Sequence, residues 1–389
     1  MEHELGPINE ATSMFATPDL HAKIKVIGVG GAGGNAVNRM VSEGMKGVEF
    51  IALNTDAQVL APNKAHKKLR LGENSTRGLG AGGDPSVGEA AAKESEKAIL
   101  ELIENADMVF VTAGMGGGTG TGAAPIVAEI AKTKGILTVG VVSKPFGFEG
   151  PKRRKVAEEG ALRLAEHVDT LIIVPNDNLS EVVDRRSSVA EAFAIADDVL
   201  RQGVQGISDI VIKPGLINVD FADVRTVLSN AGRAVMGMAK ASGEQRARLA
   251  AEAAANSPLL ETSIQSAKKL LVNITSGSDF TLEESAEVME YIQQFADADD
   301  ADIFLGHVLD ESVKGEVLVT LLAAGLSTTP RRTVDRQVFP ELEKGVSRPD
   351  VIDEREFVTV AQAETAVRPV ELELDLDIPT FLRRQRSGN

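Results

Sequence analysis

The sequence predicts an α/β fold: a mostly parallel sheet covered on both faces, then a smaller αβ set, then a tail without regular structure. Three observations carry this. Short apolar runs alternate with helical patterns of crossover length through the first half of the chain, as parallel βαβ units require. Three glycine clusters stand at strand-to-helix junctions. Beyond Pro330 periodicity fails, and eighteen of the 46 residues of Arg331–Leu376 are charged with mixed sign, too polar a stretch to bury a core.

In chain order, residues 1–20 carry no pattern and read as a flexible arm. Ile24–Val29 reads as a strand, Asn35–Glu43 as a helix and Val48–Leu53 as the next strand. Val87–Glu104 follows as a helical run, then Met108–Thr112 as a buried strand and Ala123–Lys134 as a helix with Pro125 in its first turn. Ile136–Ser143 and Leu171–Val174 are strands flanking the helix Arg153–His167. Ser188–Gln202 reads as a helix with Phe193, Ala196 and Leu200 along a seam, and Phe221–Lys240 as another. The second set comprises helices at Ala247–Ala255 and Leu282–Ala296 and strands at Lys269–Ile274, Asp302–Val308 and Glu316–Leu322.

Composition narrows the function. The 389 residues suffice for two domains and a tail, with cores that are mainly aliphatic because aromatics are 4% and Trp is absent. A net charge of −16 disfavours nucleic-acid binding, and the absence of Cys excludes thiol chemistry and disulfides. No apolar stretch approaches the ~20 residues of a spanning helix. Met1-Glu2-His3-Glu4 lacks a signal-peptide core, so a cytosolic chain is expected.

The chemistry is concentrated in the glycine clusters. Six glycines fall within Gly114–Gly122, between a strand and a helix. Bare backbone N–H groups there can point at an anion, and the helix dipole adds about half a positive charge. Gly28, Gly30 and Gly33 satisfy G-x-G-x-x-G, and Asp56 ends the following strand, as the ribose carboxylate of a dinucleotide enzyme does. A nicotinamide-dependent oxidoreductase is therefore one reading. The third cluster, Gly78–Gly83, favours another, because three loops suit a mononucleotide whose phosphates are wrapped by backbone. No G-x-x-x-x-G-K-[ST] is present, so a Walker-type site is excluded. Phe193 and Asp197, at i and i+4, face one way: the ring can stack on a base and the carboxylate can accept the N1–H and N2–H of guanine. A core Phe and a solvated Asp are the plainer reading. Asp220 and Asp223 are either helix caps or carboxylates that polarise a water attacking a phosphate. Glu283, Glu284 and Glu287 read as a solvated helix face, not a metal site.

Together, Gly28–Asn35, Asn54-Thr55-Asp56, the GGGTGTG of Gly116–Gly122, Pro145-Phe146 and Asn218–Asp223 make the chain resemble the FtsZ family, the tubulin-like bacterial cell-division GTPases, over about residues 20–325. The resemblance implies a tubulin-like parallel-sheet GTP-binding domain (21–187), a central helix (188–206), a C-terminal assembly domain (207–325), a disordered linker (326–376) and a partner-docking peptide (377–389). It implies a first phosphate loop of Gly30, Gly31, Ala32, Gly34 and Asn35, a γ-phosphate loop at Gly82 and Gly83, and signature contacts from Gly117, Gly118, Thr119, Gly120 and Thr121. Glu149 and Arg153 match the ribose pair, and Asn176, Phe193 and Asp197 the base pocket. Asp220 and Asp223, with Asn218, would enter the next subunit's nucleotide site and activate hydrolysis. GTP or GDP, with Mg2+ and K+ as a further candidate, would be the cofactors, with no protein metal ligand assigned. The expected partners are further copies of the chain and, through Asp377–Gln385, a membrane tether such as FtsA at the mid-cell ring.

Overall fold

The computed structural model describes residues 22–326 except 180–186, 214, 261, 263, 266 and 298–300. The N-terminal arm, nearly all of the linker and the C-terminal peptide expected from the sequence lie outside the described residues.

The first domain runs β1 (Ile24–Val29), α1 (Gly30–Ser42), β2 (Val48–Asn54), α2 (Ala57–Leu60), β3 (Lys67–Arg70), α3 (Pro85–Glu94), α4 (Glu96–Ile103), β4 (Met108–Gly114), α5 (Thr119–Thr133), β5 (Leu137–Lys144), α6 (Pro151–His167), β6 (Thr170–Pro175) and α7 (Asn176–Leu179). The chain continues through α8 (Val189–Ile212), β7 (Gly215–Ile217), α9 (Phe221–Leu228), β8 (Gly232–Ser242), α10 (Arg246–Ala255), β9 (Lys269–Ser276), α11 (Leu282–Gln293), β10 (Asp302–Leu309) and β11 (Glu316–Ala324). The strands join in one sheet of order β3-β2-β1-β4-β5-β6-β8-β11-β9-β10-β7, parallel from β3 to β8.

Both faces of the first half are covered, which is why β1 and most of β4 and β5 are buried on every residue rather than alternately. The helices α3, α4, α5 and α6 cover one face, and α1 and α8 pack together on the other. In the second half α10 and α11 pack on the sheet, and Arg246 of α10 clamps Asp279 and Glu284 at 2.6 Å each. Glu284 thus belongs to an ion-pair cluster rather than to a purely solvated face; Glu283 is exposed.

Five elements differ from the sequence reading. Both α1 and α5 begin within the glycine clusters, at Gly30 and Thr119, so parts of those clusters are themselves first helical turns. The run Val87–Glu104 is two helices, split where Ser95 leaves helical geometry and its hydroxyl accepts the N–H of Gly72. The central helix reaches Ile212, beyond both Gln202 and the expected domain boundary at 206. The stretch Phe221–Lys240 is a short helix and a strand, broken where Asn230 and Gly232 take positive φ. Its second half conceals its period of two because both faces are apolar: Ala234 and Met236 join the core beneath α8, and Val235 joins the core beneath α10.

α8 sets the geometry of the whole. At a helical rise of about 1.5 Å per residue it is about 36 Å long. Near its start Phe193 meets Phe146, just past the C-terminal end of β5, with ring centroids 5.4 Å apart. At its end Ile212 packs on Gly47, just before the N-terminal end of β2. One helix therefore carries the chain from one end of the parallel strands to the other.

The crossing of α3 over α5 is held at backbone contact by glycine. A Cβ on Gly122 would strike the carbonyl oxygen of Pro85, and one on Gly88 the carbonyl oxygen of Gly118. Gly122→Ala is expected to destabilise the protein by about 1–3 kcal/mol through overpacking. The urea midpoint measures this, and an unchanged midpoint would mean that the two helices can spread.

Candidate nucleotide site

The sheet order β3-β2-β1-β4-β5-β6 reverses direction between β1 and β4. Ligands of open α/β sheets bind at such a switch point, at the carboxyl ends of the strands. Both adjacent strands lead there into glycine turns that open helices. The two helices, α1 and α5, have neither a side-chain N-cap nor an acidic residue in the first turn. Their terminal N–H groups are left for an external acceptor. The contrast with α3 is informative, because Asp84 caps it and accepts the N–H of Ser86 at 2.8 Å.

The glycines fall into two classes. Some let the loops touch: a Cβ on Gly30 would lie 2.9 Å from the amide nitrogen of Gly120, and one on Gly118 would lie 2.8 Å from Ala81 Cβ and 2.9 Å from the Asp84 nitrogen. The first, second and third loops therefore converge on Gly118–Gly120. Others face space: Cβ atoms built on Gly31, Gly82, Gly83 and Gly117 would meet nothing within 4 Å. Gly82 and Gly83 also hold φ of 62° and 84°, the left-handed region that favours glycine. Open glycine backbone beside two uncapped helix termini fits a polyphosphate. Ala32 lies against Gly114, Gly34 is buried against Asn63, and Asn35 is exposed on the first turns of α1. Thr121 is buried, and its hydroxyl accepts the Gly116 N–H at 2.9 Å.

At the side of this cradle Glu149 and Arg153 pair at 3.1 Å, and Glu149 also accepts the Phe146 N–H at 2.9 Å. Arg154 and the Gly147 N–H both hold Asp177, which ties this turn to α7. Asn176 is buried, and its Oδ1 has no partner among the described residues, an acceptor available to a ligand. Phe193 packs edge-on to Phe146 and Phe148, which stack at 5.1 Å. Asp197 lies one turn farther along α8. Burial pushes its carboxyl up to about 8, with Arg39 opposing the shift and Asp198 adding to it. Asp198 takes the donors instead, from Arg39, Arg201 and Gln202.

Asp56 corrects the dinucleotide reading. Its carboxylate caps α2, accepting the Gln58 N–H at 2.9 Å and the Val59 N–H at 3.2 Å. It is committed to the backbone rather than offered to a ribose.

Asn218, Asp220 and Asp223 do not join this cluster. The Asn218 side chain accepts the Gly215 N–H, and the two aspartates form a reciprocal capping box on α9. Arg225 of the same helix donates to the carbonyl of Gly135 at 3.0 Å, just before the N-terminal end of β5. The glycine loops follow the C-terminal ends of the parallel strands. The aspartates are thus separated from them by one strand length, on the order of 25 Å.

Comparison with known proteins agrees with this geometry. Residues 23–184 match the Tubulin/FtsZ family, GTPase domain, and residues 232–327 match the FtsZ family, C-terminal domain. The chain belongs to the FtsZ family. It is 47% identical to a mutant FtsZ of M. jannaschii, covering 79% of this chain and 92% of that one with a TM-score of 0.75. The M. jannaschii FtsZ dimer is 45% identical over 82% and 95% of the two chains, with a TM-score of 0.76. The GTPγS-bound protofilament of CetZ2 from Haloferax volcanii shares the fold at 21% identity and a TM-score of 0.68, over 79% and 95%. This FtsZ-family chain is therefore a GTPase with a tubulin-like fold, and the oxidoreductase reading is set aside. Among the described residues no helix is long and apolar enough to cross a membrane.

The raised Asp197 carboxyl carries a stability cost. Its folded value lies above the unfolded one, so no cost is felt below about pH 4, and the cost grows as pH rises toward the folded value. Asp197→Asn is expected to raise the melting temperature of nucleotide-free protein, by an amount that grows from about pH 4 to about pH 8 and then levels off. Melting curves across that range test this; a gain independent of pH would show that the carboxyl is ionised throughout.

Proposed function

We propose that this chain polymerises head to tail and hydrolyses GTP at the boundary between successive subunits. The observation that carries this reading is the strand-length separation between the glycine cradle and Asp220 and Asp223. A subunit stacked end to end can bring its aspartates to its neighbour's phosphates, whereas its own are out of reach.

In this reading Gly30, Gly31, Ala32, Gly34, Asn35, Gly82, Gly83 and Gly117–Thr121 hold the phosphates, largely through backbone N–H groups. Glu149 and Arg153 orient the ribose. Asn176 and Asp197 read guanine, and Phe193 stacks on it. Guanine suits Asp197 chemically: two converging donors would favour the ionised carboxylate that the free pocket disfavours. Asp220 and Asp223, with Asn218, polarise the attacking water, and the capping box presents both carboxylates in fixed orientation at the start of α9. Mg2+, with K+ as a companion, would offset the repulsion between these carboxylates and the polyphosphate. Support for the contact comes from exposed apolar side chains at both surfaces: Phe148 and Leu79 near the cradle, and Leu216, Ile217 and Leu309 beside Asn218.

The chain would serve at the mid-cell division ring, with Asp377–Gln385 as the docking peptide for a membrane tether such as FtsA. Deleting residues 377–389 is expected to spare polymerisation and abolish recruitment to tether-coated vesicles; filaments that fail to form without the peptide would refute its role as a docking segment.

Asp220→Asn separates catalysis from capping, because Asn caps a helix as well as Asp does. We expect GTP binding and melting temperature to hold while turnover falls about 100-fold or more, the usual range for a lost general base. Wild-type turnover per subunit should appear only above a threshold protein concentration, together with light scattering. A rate independent of concentration would leave the aspartates as caps alone.

A further inference from the structure

The motif Asn54-Thr55-Asp56 has no part in the site described so far beyond the cap on α2, yet its middle residue is wholly buried where two phosphate loops meet. The Thr55 hydroxyl lies 2.6 Å from the hydroxyl of Thr119, the first residue of α5. Its carbonyl accepts the Gly80 N–H at 3.1 Å and the Thr76 hydroxyl at 3.4 Å. The same short segment pairs Asp56 with Leu79 and donates the Ala57 N–H to the carbonyl of Gly78. Thr55 therefore binds the signature helix with its side chain and the Gly78–Gly83 loop with its backbone.

Two hydroxyls that share one hydrogen bond have two polarities. If Thr119 donates to Thr55, Thr119 presents lone pairs outward, which repel an anion. If Thr55 donates to Thr119, the Thr119 proton is free for a phosphate oxygen, and each bond strengthens the other. Thr119 is the only hydrogen-bond partner of the Thr55 hydroxyl among the described residues, so nothing competes for its proton. A phosphate at the uncapped end of α5 selects the second polarity.

We propose that Thr55 is a positioning residue for nucleotide binding: it donates to Thr119, makes that hydroxyl a phosphate donor, and locks the Gly78–Gly83 loop to the same anchor. This rests on the reading of Thr119 as a phosphate contact.

The test is a double-mutant cycle on the full chain, reading GTP and GDP dissociation constants by calorimetry below the assembly threshold. Thr55→Val keeps the shape and removes the donor. It should weaken GTP binding about tenfold, or about 1.4 kcal/mol, within the net worth of a single hydrogen bond. Thr55→Ser should stay within about twofold of wild type, because it restores the hydroxyl. Thr55→Val on a Thr119→Val background should weaken binding no further. Should Thr55→Val not fold, Thr55→Ala carries the same cycle. Equal losses in Thr55→Ser and Thr55→Val, or additive losses in the double variant, would overturn the proposal and leave Thr55 a packing residue. Wild-type binding by Thr119→Val would overturn the phosphate contact itself, and the proposal with it.

Discussion

Two helix termini that their own side chains do not cap meet at backbone contact, and the rest of the structure is arranged to hold them there. The first turns of α1 and α5 leave N–H groups without internal partners, and the abutment of Gly30 on Gly120 brings those turns together. Side chains larger than hydrogen at these positions would part the loops and disperse the donors. The buried parallel strands beneath and the glycine crossing of α3 over α5 fix the helices from below and from the side. A site built of backbone dipoles gains from this rigidity, because its donors need no reorganisation when an anion arrives.

The second requirement is distance. α8 runs the length of the sheet, with Phe193 and Asp197 near its start and the turn leading to Asn218, Asp220 and Asp223 beyond its end. A rigid helix of that length separates Phe193 and Asp197 from the acidic turn and fixes the angle between them. The ion pair of Asp198 with Arg39 holds its early turns against α1, and Ile212 against Gly47 holds its end. This is the arrangement expected of a subunit whose two ends are complementary parts of one site, with heterologous contacts that generate filaments rather than closed rings.

Much of this was legible in the sequence where the physics is local. Strand-to-helix alternation, glycine at the turns between them and the i, i+4 placement of Phe193 and Asp197 follow from spacing alone. The boundaries were legible only in part. Helical starts at Gly30 and Thr119 escaped a reading based on propensity, since glycine disfavours helix interiors and only the tertiary abutment of loops forces these turns. The strand Gly232–Ser242 escaped because Ala and Met favour helices while burial on two faces erased the alternation that marks a strand. Asp56 matched the ribose carboxylate in spacing, yet two backbone N–H groups in its own turn claim it. Gly88 and Gly122, which set the helix crossing, gave no signal beyond being glycine.

By itself the sequence determined the fold class, the three glycine-rich segments and the family, because each depends on residue types at fixed short separations. The tertiary structure alone decided which glycines face open space and which face one another. It also decided that Asp197 is desolvated while Asp198 takes the ion pairs, and that Asp220 and Asp223 cap a helix at the far end of the strands. Those outcomes depend on which surfaces meet across dozens of residues, and pairwise spacing along a chain does not encode that.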